Sequence, residues 1–322
     1  MSQLALKGQE TIVTIMRSDQ LDILMLPDVG MSASSRILSL HRIAPLQFTA
    51  WGHPVTTGSD NIDFYLSSDL MEPEDAQMHY SETLVRLPNL ALFFNPSEPK
   101  TNPSLRTSLP EGYILFGCLQ SIYKYLPQYD FIFPRIAKAT PEAIFVFLEG
   151  EQRYTTEILK RRLTAIFSEH GLEAEKHVLF IPRVTTDAYA ALVNDMDVIL
   201  DTIGWSGGNT SLEAIGLGKP LVTYPGEFMR GRHTSAMFRM MGMERHVACS
   251  LEDFISRAID LGSDGDLRLQ VSTELRLKSR LLYQDRHFIG ELDRFFKSEV
   301  AKLRGTTKHS SSFGRGVISP PR

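Results

Sequence analysis

Short apolar runs separated by segments of helical length constrain this chain more than any other feature. LDILMLP (residues 21–27) is brief, apolar and bounded by turn residues, the pattern of a strand buried in a parallel sheet. SASSRILSLH (32–41) follows with serine caps and apolar residues at helical spacing, and PLQFTAW and NIDFYLSSD read as further short strands. Strand and helix alternate, which predicts βαβ units. Farther along, YILFGCL, AIFVFLEG, HVLFIP, DVILDT and PLVTYPG are strand-like runs divided by amphipathic segments, the succession of a doubly wound α/β domain.

A chain of 322 residues exceeds what one hydrophobic core usually serves, so two domains are expected, with one large α/β domain as the alternative. Between the two patterned regions, residues 95–111 (NPSEPKTNPSLRTSLPE) are dense in Pro, Ser and Asn and read as the linker. The expected boundaries are therefore 1–104 for a first domain and 105–303 for a second. A disordered tail is expected over 304–322, where the text is small, polar and basic without apolar periodicity. No repeat at solenoid periods is present.

Composition removes several classes of function. The content of 43% hydrophobic and 22% charged residues is that of an ordinary soluble protein. A formal net charge of −4 supplies no basic field for a polyanion, so nucleic acid is not an expected partner, although a local patch could still hold a phosphate. Cys118 and Cys249 are the only cysteines and lie far apart, which fits a reducing cytoplasm and neither a disulfide framework nor a cysteine zinc site. Lys7 and Glu10 interrupt the N-terminal text where a signal peptide needs an apolar run, and no stretch approaches the ~18–20 apolar residues of a membrane span. A cytoplasmic protein without a membrane partner is the expectation.

Chemistry concentrates in residues 197–226 (DVILDTIGWSGGNTSLEAIGLGKPLVTYPG), where a strand ends in a Gly-rich turn and a helix begins. Gly204, Gly207 and Gly208 let the backbone turn tightly and approach a ligand, while Asn209, Thr210 and Ser211 place amides and hydroxyls at the positive end of a helix dipole. A diphosphate suits that position. Glu213, placed within the first helical turn, could accept hydrogen bonds from ribose hydroxyls, so the pair reads a nucleotide. Many αβ junctions carry glycine merely to turn, and from the residues alone both readings stand.

The same text resembles the block of the protein O-GlcNAc transferase and SPINDLY family (glycosyltransferase family 41, bacterial type) in which a Gly-rich loop, a Thr-bearing helix start, an acidic residue and a Gly-x-Pro-x-Val-Thr strand follow in order. The likeness continues through FMRGRHTSAMFRMMGMERHVA, and upstream through LFGCLQSIYKYLPQYDFIFPRIAKATPEAIFVFLEG. RIAPLQFTAWGHPVTTGSDNIDFYLSSDLMEPEDAQMHYSETLVRLPNL is similar to the family's Arg-x-Ala-Pro-x-Gln, Gly-(His/Tyr)-Pro, Thr-Gly and Tyr-Ser-Glu motifs, so that the resemblance covers roughly residues 17 to 300.

The family resemblance implies a GT-B fold of two Rossmann-like lobes, the N-terminal one incomplete, and an inverting transfer of N-acetylglucosamine or another hexose from a UDP donor to a protein side chain. It places Lys124 on the diphosphate, with Gln120 and Tyr123 beside it; a compact ammonium there would stabilise the charge growing on departing UDP. A lysine that caps or solubilises a helix is the plainer alternative. HVLFIPRVTTDAYAALVNDMDVILD matches the family's uracil-side strand and loop, which puts Arg183 and Val184 next to the base. Thr186 and Tyr189 stand where the animal enzymes carry a Lys and a His, and Gly208 and Asn209 where they carry His and Thr, Asn209 being closer to the bacterial adhesin glycosyltransferases. No cofactor and no metal are implied, and the partners are the UDP-sugar and the acceptor protein.

His53, in GHPVTTG, is the candidate acid/base or acceptor-side residue, exposed by a turn near Thr56 and Thr57, or else an ordinary turn histidine. Asp22 and Asp28 flank the first strand as lesser candidates. Asp195-Met-Asp197 and Asp264-Gly-Asp266 spell an Asp-x-Asp metal motif, but the first runs into a buried strand and the second lies in a polar turn, without further oxygen ligands evident. His233 and the cluster Met237, Met240, Met241 and Met243 read as packing. Family members begin their catalytic region with further strands, helices and an early His, often after tetratricopeptide repeats; the chain is expected to start after these, its first sheet exposing an edge. An active transferase and a catalytically incomplete UDP-sugar-binding or scaffolding module both remain open.

Overall fold

A computed structural model describes residues 3–96 and 105–310. They form two compact units, one from residues 3–91 and 286–310 and one from residues 92–96 and 105–285. In the first, α1 (Gln3–Ser18), β1 (Ile23–Leu26), α2 (Ala33–Leu38), β2 (Leu46–Ala50), β3 (Phe64–Ser68) and β4 (Thr83–Leu87) give a parallel sheet ordered β1-β2-β3-β4. Side chains alternate across it with the two-residue period of a strand. Leu24 and Leu26 join Val13, Val29, Ile43, Ala44 and Ile62 on one face. Ile23, Phe48, Phe64, Leu66 and Leu87 occupy the other, where they meet the long helix α10 (His287–Ser310) through Phe288, Leu292, Phe295 and Phe296. Phe48 is fully buried there, its ring 5.0 Å from Phe64 and 4.9 Å from Phe296.

That helix changes the expected partition. Residues 286–303 belong with the first sheet and not with the second domain, because the apolar stripe of α10 is completed by Phe48, Leu66 and Leu87. Residues 304–310, expected in a disordered tail, extend α10. The rest of that tail, 311–322, and the middle of the expected linker, 97–104, lie outside the described residues. The linker's far end packs within the second unit: Leu105 N donates to Asp195 Oδ2 at 2.6 Å and Arg106 Nε to the Asp195 carbonyl at 2.8 Å.

The second unit holds β5 (Ile114–Cys118), α3 (Ile132–Ala139), β6 (Ala143–Leu148), α4 (Arg153–Glu169), β7 (Val178–Ile181), α5 (Thr186–Asp195), β8 (Val198–Leu200), α6 (Asn209–Gly216), β9 (Leu221–Val222), α7 (His233–Met240), α8 (Leu251–Ser263) and α9 (Gly265–Lys278). All five strands are parallel, in the order β7-β6-β5-β8-β9. Phe116, Phe145, Phe147 and Phe167 are wholly buried beneath the helices. At Gly117 a β-carbon would come within 2.7 Å of Ile199 Cδ1 and 2.8 Å of Met196 Cγ, so β5 and β8 approach closely only because this position has no side chain. The chain leaves β5 toward β6 and β7 on one side and reaches β8 and β9 on the other. The winding reverses between β5 and β8, and a crevice opens there beyond the strands' carboxyl ends.

Candidate functional site

Two loops leave the strands that flank the reversal. From β5 the chain passes Leu119 and Gln120 into a 3₁₀ turn, Ile122–Lys124. From β8 it passes Asp201 to Gly208 and enters α6. The loops meet: Lys124 Nζ donates to Gln120 Oε1 at 2.9 Å and to the Ser206 carbonyl at 3.3 Å, and Gln120 Nε2 donates to Thr210 Oγ1 at 2.6 Å. Three residues singled out in the sequence, Lys124, Gln120 and Thr210, thus form one relay across the mouth of the crevice. Burial holds the Lys124 ammonium below the ordinary lysine range, with the Asp201 carboxylate acting in the opposite direction.

The Gly-rich loop differs from expectation in one respect. The Gly207 amide is turned inward, donating to Asp201 Oδ1 at 2.8 Å, and is not available to a ligand. Ser211 N donates to the Gly208 carbonyl at 3.0 Å, closing the first turn. Among the described residues, the amides of Gly208, Asn209 and Thr210 have no protein acceptor, and these are the donors α6 presents. Glu213 is the fifth residue of α6 and so lies past its first turn, where the dipole acts more weakly than expected. Burial raises its carboxyl above the usual range.

Asp201, which sequence reasoning passed over, organises the loop. It is 5% exposed and accepts four hydrogen bonds: from Thr202 N (3.0 Å) and Gly207 N on Oδ1, and from Ser206 Oγ (2.6 Å) and Thr223 Oγ1 (2.8 Å) on Oδ2. Thr234, at the start of α7, ties the loop to its helix, since its hydroxyl lies 2.8 Å from both Ser206 Oγ and Ser211 Oγ. His233 is buried next to it. Burial, then the Lys124 cation, push its imidazole down to about 3 against a bond to the Ser206 backbone, so it stays neutral beneath the loop. The signal for Asp201 was an acid closing an apolar strand immediately before a Gly-rich turn; the buried hydroxyls left none.

Tyr123 is largely exposed, its ring edge-on to Trp205 at 5.7 Å, and Arg230 lies over the same indole at 5.6 Å. Arg183 and Val184 follow β7, two strands from β5, and are exposed; the Arg183 guanidinium pairs with Glu151 at 2.7 Å. Among the described residues, no hydrogen bond or ion pair joins them to the Lys124 relay. Tyr189 links the α5 side to it, its hydroxyl donating to the Leu119 carbonyl at 3.3 Å. Burial, then the Glu213 carboxylate, push that phenol up.

In the first unit, the His53 ring packs on Gly30, where a β-carbon would meet its Cδ2 at 2.5 Å, and burial lowers its imidazole. Thr56 and Thr57 bond the buried Glu82, which accepts from Thr56 Oγ1 at 2.7 Å and Thr57 N at 2.8 Å. The lesser candidates serve structure. Asp28 accepts from Ser35 Oγ at 2.6 Å at the entry to α2, and Asp22 pairs with Arg304 at 2.9 Å. Asp195 and Asp197 bind Leu105 N, Arg106 and Leu115 N, and Asp264 caps α9 through Leu267 N at 2.9 Å.

A family model described as Glycosyl transferase family 41 matches residues 96–290. A probable UDP-N-acetylglucosamine–peptide N-acetylglucosaminyltransferase, SPINDLY, from Solanum lycopersicum is 28% identical over 279 residues, covering 85% of this chain and 29% of its own length. The UDP-glucose:protein N-beta-glucosyltransferase of Actinobacillus pleuropneumoniae is 26% identical, covering 81% of this chain and 42% of its own. Among solved structures, a mutant of the Thermobaculum terrenum O-GlcNAc transferase superposes with a TM-score of 0.79 at 26% identity, over 93% of this chain and 56% of that one. The chain thus spans about three-tenths of the length of its SPINDLY relatives.

Proposed function

The chain belongs to glycosyl transferase family 41 and has its α/β, GT-B fold, and we propose that its second unit binds the diphosphate of a UDP-linked sugar between the β5 and β8 loops. One observation supports this reading: the bonds of Lys124 to Gln120 and the Ser206 carbonyl, and of Gln120 to Thr210, join the β5 and β8 loops where the sheet reverses its winding, at the helix start whose Gly208, Asn209 and Thr210 amides have no protein acceptor among the described residues. Gln120 and Thr210 share hydrogen bonds that diphosphate oxygens can replace. Tyr123 walls the mouth, Glu213 faces the ribose, and the loop of Arg183 and Val184 borders the uracil.

The proposed reaction moves N-acetylglucosamine or another hexose to a protein side chain with inversion. An acceptor hydroxyl or amide attacks the anomeric carbon, the bond from that carbon to the diphosphate oxygen breaks, and UDP leaves with the electron pair. Lys124 and the α6 N-terminus stabilise the charge that appears on the leaving oxygen. The acceptor proton passes to a general base, for which His53 of the first unit is the candidate; burial lowers its imidazole, favouring the neutral form that a base requires. No divalent ion takes part in this reading, so a chelator leaves transfer unchanged.

The test pairs calorimetric UDP binding with transfer of radiolabel from UDP-N-acetylglucosamine and UDP-glucose to proteins of a lysate. Lys124→Ala is expected to weaken UDP binding by about tenfold and to lower transfer by roughly 10²–10³-fold. Asp195→Ala, which loses the bond to Leu105 N, keeps UDP affinity. His53→Ala lowers transfer with UDP affinity intact. Equal loss of UDP affinity in the Lys124 and Asp195 variants contradicts the assignment; binding without label transfer by the unaltered protein favours a UDP-sugar-binding module over an enzyme.

A further inference from the structure

The hydrogen bonds beneath the loop point to a residue that shapes the site without touching the ligand. Asp201 sits where β8 ends, its own amide still in the ladder with the Val222 carbonyl at 2.9 Å, so its position is fixed by the sheet. Its two carboxylate oxygens face four donors, three from its own loop and one, Thr223 Oγ1, from the end of the neighbouring strand. A carboxylate is the one side chain of this length that only accepts, and it therefore satisfies all four. With the Gly207 amide and the Ser206 hydroxyl drawn inward, the Ser206 carbonyl accepts from Lys124, and the next three amides, Gly208 to Thr210, have no protein acceptor among the described residues.

Resting on the diphosphate reading, we propose that Asp201 is a positioning residue with two separable effects: its geometry presets the loop that receives the diphosphate, and its negative charge, at the same hollow, stabilises the Lys124 ammonium before the ligand arrives. Both line one small hollow at the carboxyl ends of β5 and β8. Other ionisable groups at that hollow do not substitute for it. Asp130 is held by Arg162 through bonds of 2.8 and 2.7 Å. Cys118 and Tyr125 are neutral, burial pushing both up, and His233 is neutral under the loop. Asp201 is the unpaired acid available to a half-desolvated ammonium, until the diphosphate supplies a second counter-charge.

Two substitutions separate the effects. Asp201→Asn keeps one oxygen for the Gly207 and Thr202 amides and offers an amide to the Ser206 and Thr223 hydroxyls, which can rotate to accept; geometry survives and charge is lost. Asp201→Ala loses both. UDP binding is measured by calorimetry from pH 7 to pH 10 for these variants, the unaltered protein and Lys124→Ala, which reports the loss of affinity due to uracil ionisation alone.

At pH 7 Asp201→Asn is expected to bind within about threefold of the unaltered protein, while Asp201→Ala binds at least about tenfold more weakly. The alkaline fall in affinity of Asp201→Asn should begin about one pH unit lower, the low end of what a nearby opposite charge produces. Superimposable pH profiles for Asp201→Asn and the unaltered protein overturn the charge role, and unchanged affinity in Asp201→Ala overturns the geometric one. Should Asp201→Ala not fold, the Asn profile still decides the charge role, and Thr223→Val, which removes one of the four donors, tests the geometry. Failure of the unaltered protein to bind UDP at any pH instead removes the diphosphate reading itself.

Discussion

A β-carbon on Gly207 would come within 2.3 Å of Ser211 Oγ and 2.8 Å of both Gln120 Nε2 and Thr210 Oγ1, whereas one on Gly208 would meet nothing within 4 Å. Adjacent glycines in the same loop therefore have different duties. Gly207→Ala is expected to push Gln120 off Thr210 and weaken UDP binding by about tenfold or more, with Gly208→Ala within about threefold of the unaltered protein; calorimetry checks both. Lys124, Gln120 and Thr210 were singled out in the sequence by its family resemblance and by the Gly-rich turn, and the fold links them by hydrogen bonds. The inward turn of the Gly207 amide was not, since a Gly-rich string does not say which way each peptide plane faces. Asp201 was passed over because its partner Thr223, and Thr234, which bonds its partner Ser206, lie far along the chain and are gathered only by the fold.

At the scale of elements, the apolar runs read as strands β1, β2, β3 and β5 to β9 are all strands, but β4 (TLVRL) escaped because its apolar residues are interrupted by Thr83 and Arg86 at an edge. Helix α10 shows a different limit: an amphipathic pattern states that a helix must be covered, not by which sheet. Phe295→Ala, which strips α10 of ring contacts to Phe48 (6.0 Å) and Phe64 (5.3 Å), is expected to destabilise the first unit by about 2–4 kcal/mol, measured by denaturant unfolding. On α9, burial raises the Glu274 carboxyl, but bonds from Lys278, Arg245 and His246 outweigh it and bring it down to about 2. A lowered folded-state value stabilises above the unfolded value near 4.5 and is lost as pH falls toward 2. Glu274→Gln should therefore melt lower than the unaltered protein at pH 7 and match it near pH 2.

For the whole molecule, strand-and-helix alternation told of parallel α/β architecture, and the two sheets are parallel throughout. The division of the chain was less legible: the first unit reclaims residues 286–310 through contacts hundreds of residues apart in sequence, such as Phe295 on Phe48. The proposed function holds a diphosphate by backbone amides and one lysine at the reversal of the second sheet. A crystal structure of the protein with UDP bound tests this most directly. Phosphate oxygens should lie about 2.7–3.2 Å from the amides of Gly208, Asn209 or Thr210 and from Lys124 Nζ. A diphosphate bound elsewhere, with Lys124 still held on Gln120 and those amides facing water, would contradict it.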